Sequence, residues 1–489
     1  MSARRKTKVV CTIGPAVVAK EKLFALADAG MDVARLNFSH GEHAWHAQVV
    51  DMVKEYNALG RGHTVSLMLD TKGPEVRSGD LKAPINLAAG DSIIFTTELG
   101  HRGDDRLVTV SYADFIHDVA VGDTLLVDGG LMSFRVTEIS GQRVTCRALE
   151  SGELASRRHL NVRGKSASLP SITDKDWEDI AFGVEHGIDF FALSFVKNGD
   201  VVRELKTYLQ ERGAHAKILA KIESADSVRN LADILEAADG AMVARGDLGA
   251  ELPVEEVPML QEEIVRQCRE QGKPVIVATN MLESMITNPV PTRAEVSDIA
   301  IAVREGADAV MLSGETAYGQ HPFKALQVMC TVASRTERAM ADVASMGKDP
   351  LAGLAGVLAP SCGTSGVTDT STLMALHAAS MASAMNTPLV VFTRTGAMAG
   401  LLAQQRPARP VFAFTNNDIV LRRLSLYYGV VPVKMEFSDS SEETFGRAMA
   451  MLKQHKFMEP GQLMVLLQSG KKSIWRNAEE HLVKVQPLH

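Results

Sequence analysis

The chain has 489 residues, a formal net charge of −7, 46% hydrophobic and 23% charged residues. That balance argues against a protein built mainly to bind nucleic acid or an anionic membrane, while leaving room for a local basic anion site. The length suggests about three domains, and five scattered cysteines without a CxxC read as reduced thiols in a cytoplasmic protein, with no disulfide frame or structural zinc.

In chain order, "MSARRKTKVVCTIGPAVVAK" reads as a basic leader and a first strand. Its apolar part is broken by Thr12, Gly14 and Pro15, unlike a signal peptide, and no apolar run approaches the roughly 20 residues of a membrane span. A local pattern then recurs: a helix ends at glycine, a small residue and Asp follow, and a strand begins. It stands at 28–39 ("DAGMDVARLNFS"), 185–195 ("EHGIDFFALSF") and 304–314 ("REGADAVMLSG"), with a variant at 237–247 ("AADGAMVARGD"). Glycine suits the left-handed position after a helix. Strands are predicted at 8–12, 33–38, 64–69, 190–195, 218–222, 241–244, 274–278 and 309–312. Alternating helices and apolar strands predict an α/β fold, a (β/α)₈ TIM barrel over 1–71 and 168–340; an open doubly wound sheet is the alternative. Short alternating runs ("DSIIFTT", "DTLLVDG", "FRVTEI", "RVTCRAL") with Gly and Asp turns predict an inserted all-β cap domain at 72–167. After the Gly- and Ser/Thr-rich linker "LAGVLAPSCGTSGVTDTSTL", helices and strands resume in a C-terminal α/β domain at 355–489, read as regulatory or oligomerising.

Catalytic groups of such a barrel belong at the C-terminal strand ends. Polar residues crowd those ends here: Arg35, Asn37 and Ser39 after strand two, Asp70 and Thr71 after three, Lys221 and Glu223 after five, Arg245, Gly246 and Asp247 after six, Thr279 after seven, Ser313 and Glu315 after eight. Any one alone reads as a loop cap; together they read as a site. Glu223 and Asp247, without converging His or Cys, suit Mg²⁺ or Mn²⁺. Arg35, Arg77 and Lys221 add positive charge for a phosphoryl group near the metal. Backbone N–H groups around Gly246 suit a small carboxylate. His40, His43 and His46 read as early-helix residues in solvent, in preference to a metal site.

The motifs "KTKVVCTIGPA", "DVARLNFSHG", "LDTKGPEVR", "AKIES", "VARGDLGAEL", "ATNMLESM", "PTRAEVSDIA" and "MLSGETA", in this order, resemble the pyruvate kinase family. The resemblance implies phosphoryl transfer from phosphoenolpyruvate to ADP, giving pyruvate and ATP at the end of glycolysis. It implies that Arg35 and Lys221 bind and stabilise the phosphoryl group and that Glu223 and Asp247 hold Mg²⁺. Gly246, Asp247 and Thr279 would contact substrate, with Thr279 near the protonated face of the enolate. Asn37, Ser39, Asp70 and Thr71 match the family's K⁺ site, and members using K⁺ carry glutamate where Glu75 stands. Asn37, His40, Arg77 and Arg158 would meet the nucleotide, and Ser313 and Glu315 would join a proton relay. A homotetramer and a sugar-phosphate or nucleotide effector are family expectations; Arg394, Thr395, Lys471 and Ser473, in "TRTGAMA" and "QSGKKS", are the candidate effector residues.

The chain departs from the family pattern at several points. The cap segment reads "RRHLNVRG", with Arg158 in place of a lysine and Arg163 near its end; the cap "DDG" reads "DGG", with Gly129; Asn280, Ile301 and Tyr318 also differ. None removes a barrel catalytic group. Two rival functions stand beside it: a metal-dependent aldolase or lyase on a similar barrel, which needs the Glu223 and Asp247 pair but has no use for Asn37, Ser39, Asp70, Thr71 or the cap, and an effector-binding protein without catalysis, against which intact Lys221, Glu223, Asp247 and Thr279 argue.

Overall fold

The glycine–Asp repeat is the barrel's structural unit, and alternate strands carry it. A computed structural model describes residues 5–98, 106–128, 130–164, 169–346, 370–468 and 482–488. Its eight parallel strands are Lys8–Thr12, Val33–Asn37, Ser66–Asp70, Phe190–Leu193, Lys217–Ile222, Gly240–Ala244, Val275–Ala278 and Ala309–Leu312. The first pairs with the eighth in parallel, Lys8 opposite Ala309, so the sheet is a closed barrel and not an open doubly wound sheet. Two helices of the repeat end on left-handed glycines, Gly187 and Gly306.

The Asp of each repeat precedes strand two, four, six or eight, and its carboxylate accepts a backbone N–H from the preceding odd strand. The distances are 2.8 Å from Asp32 to Val9 N, 2.9 Å from Asp189 to Leu67 N, 3.0 Å from Asp239 to Ile218 N and 3.1 Å from Asp308 to Val275 N. The barrel floor is thus stitched two strands at a time by buried or half-buried carboxylates. Strand residues of one parity pack against the helices. The other parity (Val10, Val33, Met68, Phe190, Leu219, Met242, Ile276 and Met311 among them) fills the interior.

Between strands three and four the chain builds a six-stranded sheet, in the order Leu160–Val162, Thr124–Val127, Met132–Ser140, Arg143–Ala148, Ser92–Thr96, Leu107–Thr109, with its own apolar core. The C-terminal domain is a five-stranded sheet. Leu389–Phe392, Val411–Thr415, Val430–Lys434 and Leu463–Gln468 run parallel. A last strand, Leu482–Pro487, is added antiparallel and was not expected from the sequence. Most of the linker, Cys362, Gly129, Lys471 and Ser473 lie outside the described residues.

The C-terminal domain closes the barrel floor. Leu426, fully buried, belongs to the same apolar cluster as the inward-facing strand residues. Around it Arg422 Nε lies 2.8 Å from Asp189, Arg406 Nη2 lies 3.2 Å from Asp308, and Lys8 Nζ donates to Val430 O at 2.7 Å. Two of the repeat aspartates therefore have two roles: one oxygen of Asp189 and of Asp308 stitches strands, and the other meets the neighbouring domain at Arg422 and at Tyr428 N.

Candidate active site

Strand parity builds the site. Along each inward-facing row, apolar residues at the floor give way to polar ones at the C-terminal rim: Val33, Arg35, Asn37; Met68, Asp70; Ala192, Ser194; Leu219, Lys221, Glu223. Register places the rows side by side, with Asn37 opposite Asp70 and Asp70 opposite Ala192. At the centre is Asp70. One oxygen accepts from Arg35 Nε at 2.7 Å, and the other lies 3.3 Å from Lys221 Nζ. Arg35 is further held by Thr12 Oγ1 at 2.9 Å, and Lys221 donates to Ser194 Oγ at 2.7 Å. Burial would lift Asp70, but the two cations outweigh it and hold the carboxyl below the usual range. Burial would likewise lower Lys221, yet Asp70, Glu223 and Asp247 raise it, so its ammonium stays charged.

Glu223 is fully buried. Its Oε1 accepts the Phe195 N–H at 2.6 Å, made possible by a positive φ of 50° at Phe195. Its Oε2 lies 3.0 Å from Lys221 Nζ, out of hydrogen-bonding alignment, and accepts no hydrogen bond. Burial, with the charge of Asp247 added, overrides Lys221 and pushes this carboxyl up. A buried carboxylate oxygen that meets Lys221 as an ion pair but accepts no hydrogen bond keeps lone pairs open to a further cation. Among the described residues no three His, Cys, Asp or Glu cluster as a complete metal cage. Two carboxylates with the remaining positions open fit a hard divalent ion that keeps water and takes substrate oxygens.

The proposed K⁺ ligands are more committed. Thr71 Oγ1 accepts from Ser194 N at 3.0 Å, its carbonyl from Ser194 Oγ at 2.6 Å, and Asn37 Oδ1 from Ser39 N at 3.1 Å. Asp70 is shared by Arg35 and Lys221. The four residues do lie on neighbouring strand ends, and all offer oxygen.

Strands six and seven leave the barrel as a joined pair of turns. Gly246 N donates to Thr279 Oγ1 at 2.8 Å, which itself donates to Ala278 O at 2.7 Å. A Cβ at Gly246 would meet Thr279 Oγ1 at 3.5 Å, an ordinary contact. The protein leaves this exposed face open, as close backbone approach by a ligand requires. Thr279 and Asn280 have φ of 66° and 55°, left-handed values that a β-branched residue avoids. Arg245, expected among the rim polar groups, instead turns behind this loop. Glu315 binds two backbone N–H groups, of Leu282 and Ser313, at 2.9 and 2.7 Å, while the buried Ser313 Oγ has no partner.

Toward the cap, Glu75 meets Arg77 Nε at 2.8 Å and His159 Nε2 at 3.3 Å. Against the upward push of burial, these two hold Glu75 down at about 2. Arg158 lies in the cap, 3.1 Å from Asp128. His40 is exposed, but His46, expected in solvent, is buried: its Nε2 binds the His40 carbonyl at 2.9 Å and its ring stacks on Phe38, while His43 pairs with Asp179. Arg394 and Thr395 are exposed on a C-terminal turn. Sequence reasoning passed over Ser194, Thr12 and the Phe195 N–H; alternation from Phe190 and Ala192 already pointed Ser194 inward. A cavity of about 1090 Å³ lies elsewhere, between the barrel floor and the C-terminal domain, and its lining (Arg5, Lys8, Asp32, His63, Arg409, Lys456 and others) shares nothing with this rim.

A closed (β/α)₈ barrel with two largely buried cations, a buried carboxylate oxygen that accepts no hydrogen bond and a capping β domain defines a metal-dependent barrel enzyme acting on an anionic substrate. Comparison with known proteins makes this specific. The family model "Pyruvate kinase, barrel domain" matches residues 4–326, and "Pyruvate kinase, alpha/beta domain" matches 372–476. Plastidial pyruvate kinase 3, chloroplastic, of Arabidopsis thaliana is 55% identical over 99% of this chain and 82% of its own length. A pyruvate kinase of Bacillus licheniformis is 42% identical over 94% and 77%. The crystal structure of a pyruvate kinase from Cryptosporidium parvum superposes with a TM-score of 0.88 at 36% identity, covering 99% of this chain and 96% of that one. The chain belongs to the pyruvate kinase family and is a phosphotransferase; the aldolase or lyase alternative is not favoured.

Proposed function

We propose that this rim transfers the phosphoryl group of phosphoenolpyruvate to ADP, with Mg²⁺ (or Mn²⁺) on Glu223 and Asp247 and K⁺ near Asn37, Ser39, Asp70 and Thr71. The observation that carries the reading is the Asp70 bridge: one buried carboxylate orients Arg35 and Lys221 from two strands, beside the donor-less oxygen of Glu223. The divalent ion, when bound, supplies charge neutralisation at the substrate oxygens. Arg35 and Lys221 hold the phosphoryl group by charge from a site with little water, where fixed donors are worth most. The Asp247 backbone N–H, with that of Gly246 shared between Thr279 Oγ1 and the ligand, receives the carboxylate. Thr279 Oγ, fixed by two hydrogen bonds, is the proposed group beside the enolate carbon that gains a proton, and Ser313 and Glu315 are its proposed relay.

Arg77, His40, Asn37 and Arg158 form the nucleotide side, where the Glu75–Arg77–His159 cluster joins the chain entering the cap to the chain leaving it. Arg394 and Thr395, with Lys471 and Ser473, are the proposed effector residues, and a homotetramer the proposed assembly. The proposed compartment is the cytoplasm, the reading given by five scattered cysteines without a CxxC. Among the described residues no helix is long and apolar enough to cross a membrane.

Pyruvate formation from phosphoenolpyruvate and ADP with Mg²⁺, in K⁺ and in Na⁺, tests the reading. We expect turnover that requires Mg²⁺ and is faster in K⁺. No turnover in any combination would sink the kinase assignment, and equal rates in Na⁺ and K⁺ only the K⁺ site. A phosphoenolpyruvate saturation curve unmoved by AMP or a panel of sugar phosphates would remove the effector residues.

A further inference from the structure

We infer that Arg245 is a positioning residue for Thr279, set in place by Asp298; the inference rests on the reaction proposed above. Every arm of its guanidinium is committed away from the substrate. Nε donates to Ala278 O at 3.2 Å, and Nη2 donates to Thr279 O at 2.6 Å and lies 2.9 Å from Met281 Sδ. Nη1 donates to Asp298 Oδ1 at 2.6 Å and to Gln261 Oε1 at 3.3 Å. The fork thus grips two consecutive carbonyls of the strand-seven exit, on either side of the point where the backbone turns left-handed at Thr279 and Asn280.

A threonine does not hold such a conformation by its own preference; surrounding contacts must over-determine it. On the front of the loop the contact is Gly246 N to Thr279 Oγ1. On the back it is Arg245, the residue preceding Gly246. One short segment therefore clamps Thr279 from both sides, and in doing so couples it to Asp247 two residues further on. Asp298, on the helix Arg293–Glu305, fixes the far end of the guanidinium, so the helix after the loop sets the loop's geometry. Lysine, a single ammonium without a planar fork, cannot grip both carbonyls and Asp298 together.

The test compares wild type with Arg245→Lys, Asp298→Asn and the double variant. Melting temperature reports folding. Steady-state kinetics separate kcat from the KM for phosphoenolpyruvate, and exchange of pyruvate methyl protons with D₂O, followed by NMR, reads proton transfer alone. Folded Arg245→Lys should lose about 10- to 100-fold in both kcat and proton exchange, with KM changed less than about threefold. Asp298→Asn should lose less, in the same pattern. The double variant should match Arg245→Lys within about twofold, because Asp298 acts through Arg245. Folded variants with kcat and exchange within about twofold of wild type would overturn the clamp, as would losses confined to KM or multiplying in the double variant. If Arg245→Lys does not fold, Asp298→Asn carries the same comparison. A wild type inactive on phosphoenolpyruvate would instead overturn the parent reading, and the clamp with it.

Discussion

Lys221 Nζ stands 3.0 Å from Glu223 Oε2, 3.3 Å from Asp70 Oδ1 and 2.7 Å from Ser194 Oγ. In sequence it is an ion two places from another ion at the end of an apolar strand. In the fold Glu223 is buried and Lys221 nearly so, and their charges are unequal to the task of neutralising the rim: Glu223 is pushed up while Lys221 is held charged. Lys221→Met should cut turnover by at least about 100-fold, the scale of losing a fixed transition-state donor. Without metal it should also destabilise, by up to about 3–5 kcal/mol, since it strands carboxylates that had a partner. A divalent ion then replaces the missing charge, so Mg²⁺ should raise the melting temperature more in the variant than in wild type. Equal Mg²⁺-induced shifts would mean that Glu223 does not receive the ion.

At the scale of the strand pair, the floor aspartates differ in electrostatic sign although they share one geometry. Burial would raise Asp32, but Arg5 and Lys8 outweigh it and hold it at about 2, from 3.8. Asp189 goes the other way, because its burial outweighs Arg422. A depressed carboxyl contributes stability present above its unfolded pKa and lost as pH falls through the folded one. Asp32→Asn should therefore cost about 2 kcal/mol at pH 7, since each tenfold change in proton affinity is worth about 1.4 kcal/mol. The gap from wild type should narrow by about 1 kcal/mol at pH 3. Urea unfolding at the two pH values measures it; a gap independent of pH would show that the ion pair is not its source. These pairs also explain why the repeat appears four times in an eight-strand barrel: one carboxylate serves two strands.

For the whole molecule, the decisive contact is Leu426, a C-terminal-domain side chain inside the barrel's apolar interior. A barrel floor without it would hold a void beneath Met68, Phe190 and their neighbours, and the charged rim of Asp189 and Asp308 would lose alignment with Arg422 and Arg406. Leu426→Ala should cost about 2–5 kcal/mol. It should also split thermal unfolding into separate domain transitions and open the interdomain segment to protease. Leu426→Met, of similar volume, should cost less than about 1.5 kcal/mol. A single transition near the wild-type temperature in Leu426→Ala would show that the two domains do not share a core.

What the sequence alone determined is what repeats or alternates along the chain. The eight strands, the inserted β domain, and the change from apolar to polar along Leu219, Lys221 and Glu223 follow from period and parity, which are local. So does the choice of two carboxylates and two cations for the rim chemistry. Only the tertiary structure decided closure, because pairing Lys8 with Ala309 joins residues 301 apart, at opposite ends of the barrel segment. It also decided that Arg245 faces the back of a loop while Arg35 faces the substrate, although both stand at strand ends. A long charged side chain goes to whichever carbonyls and carboxylates the neighbouring backbone presents, and that backbone is set by strands far away in sequence. The edge strand Leu482–Pro487, short and nowhere fully buried, carries too weak an alternation to announce itself; it exists because Leu463–Gln468 offers it a ladder.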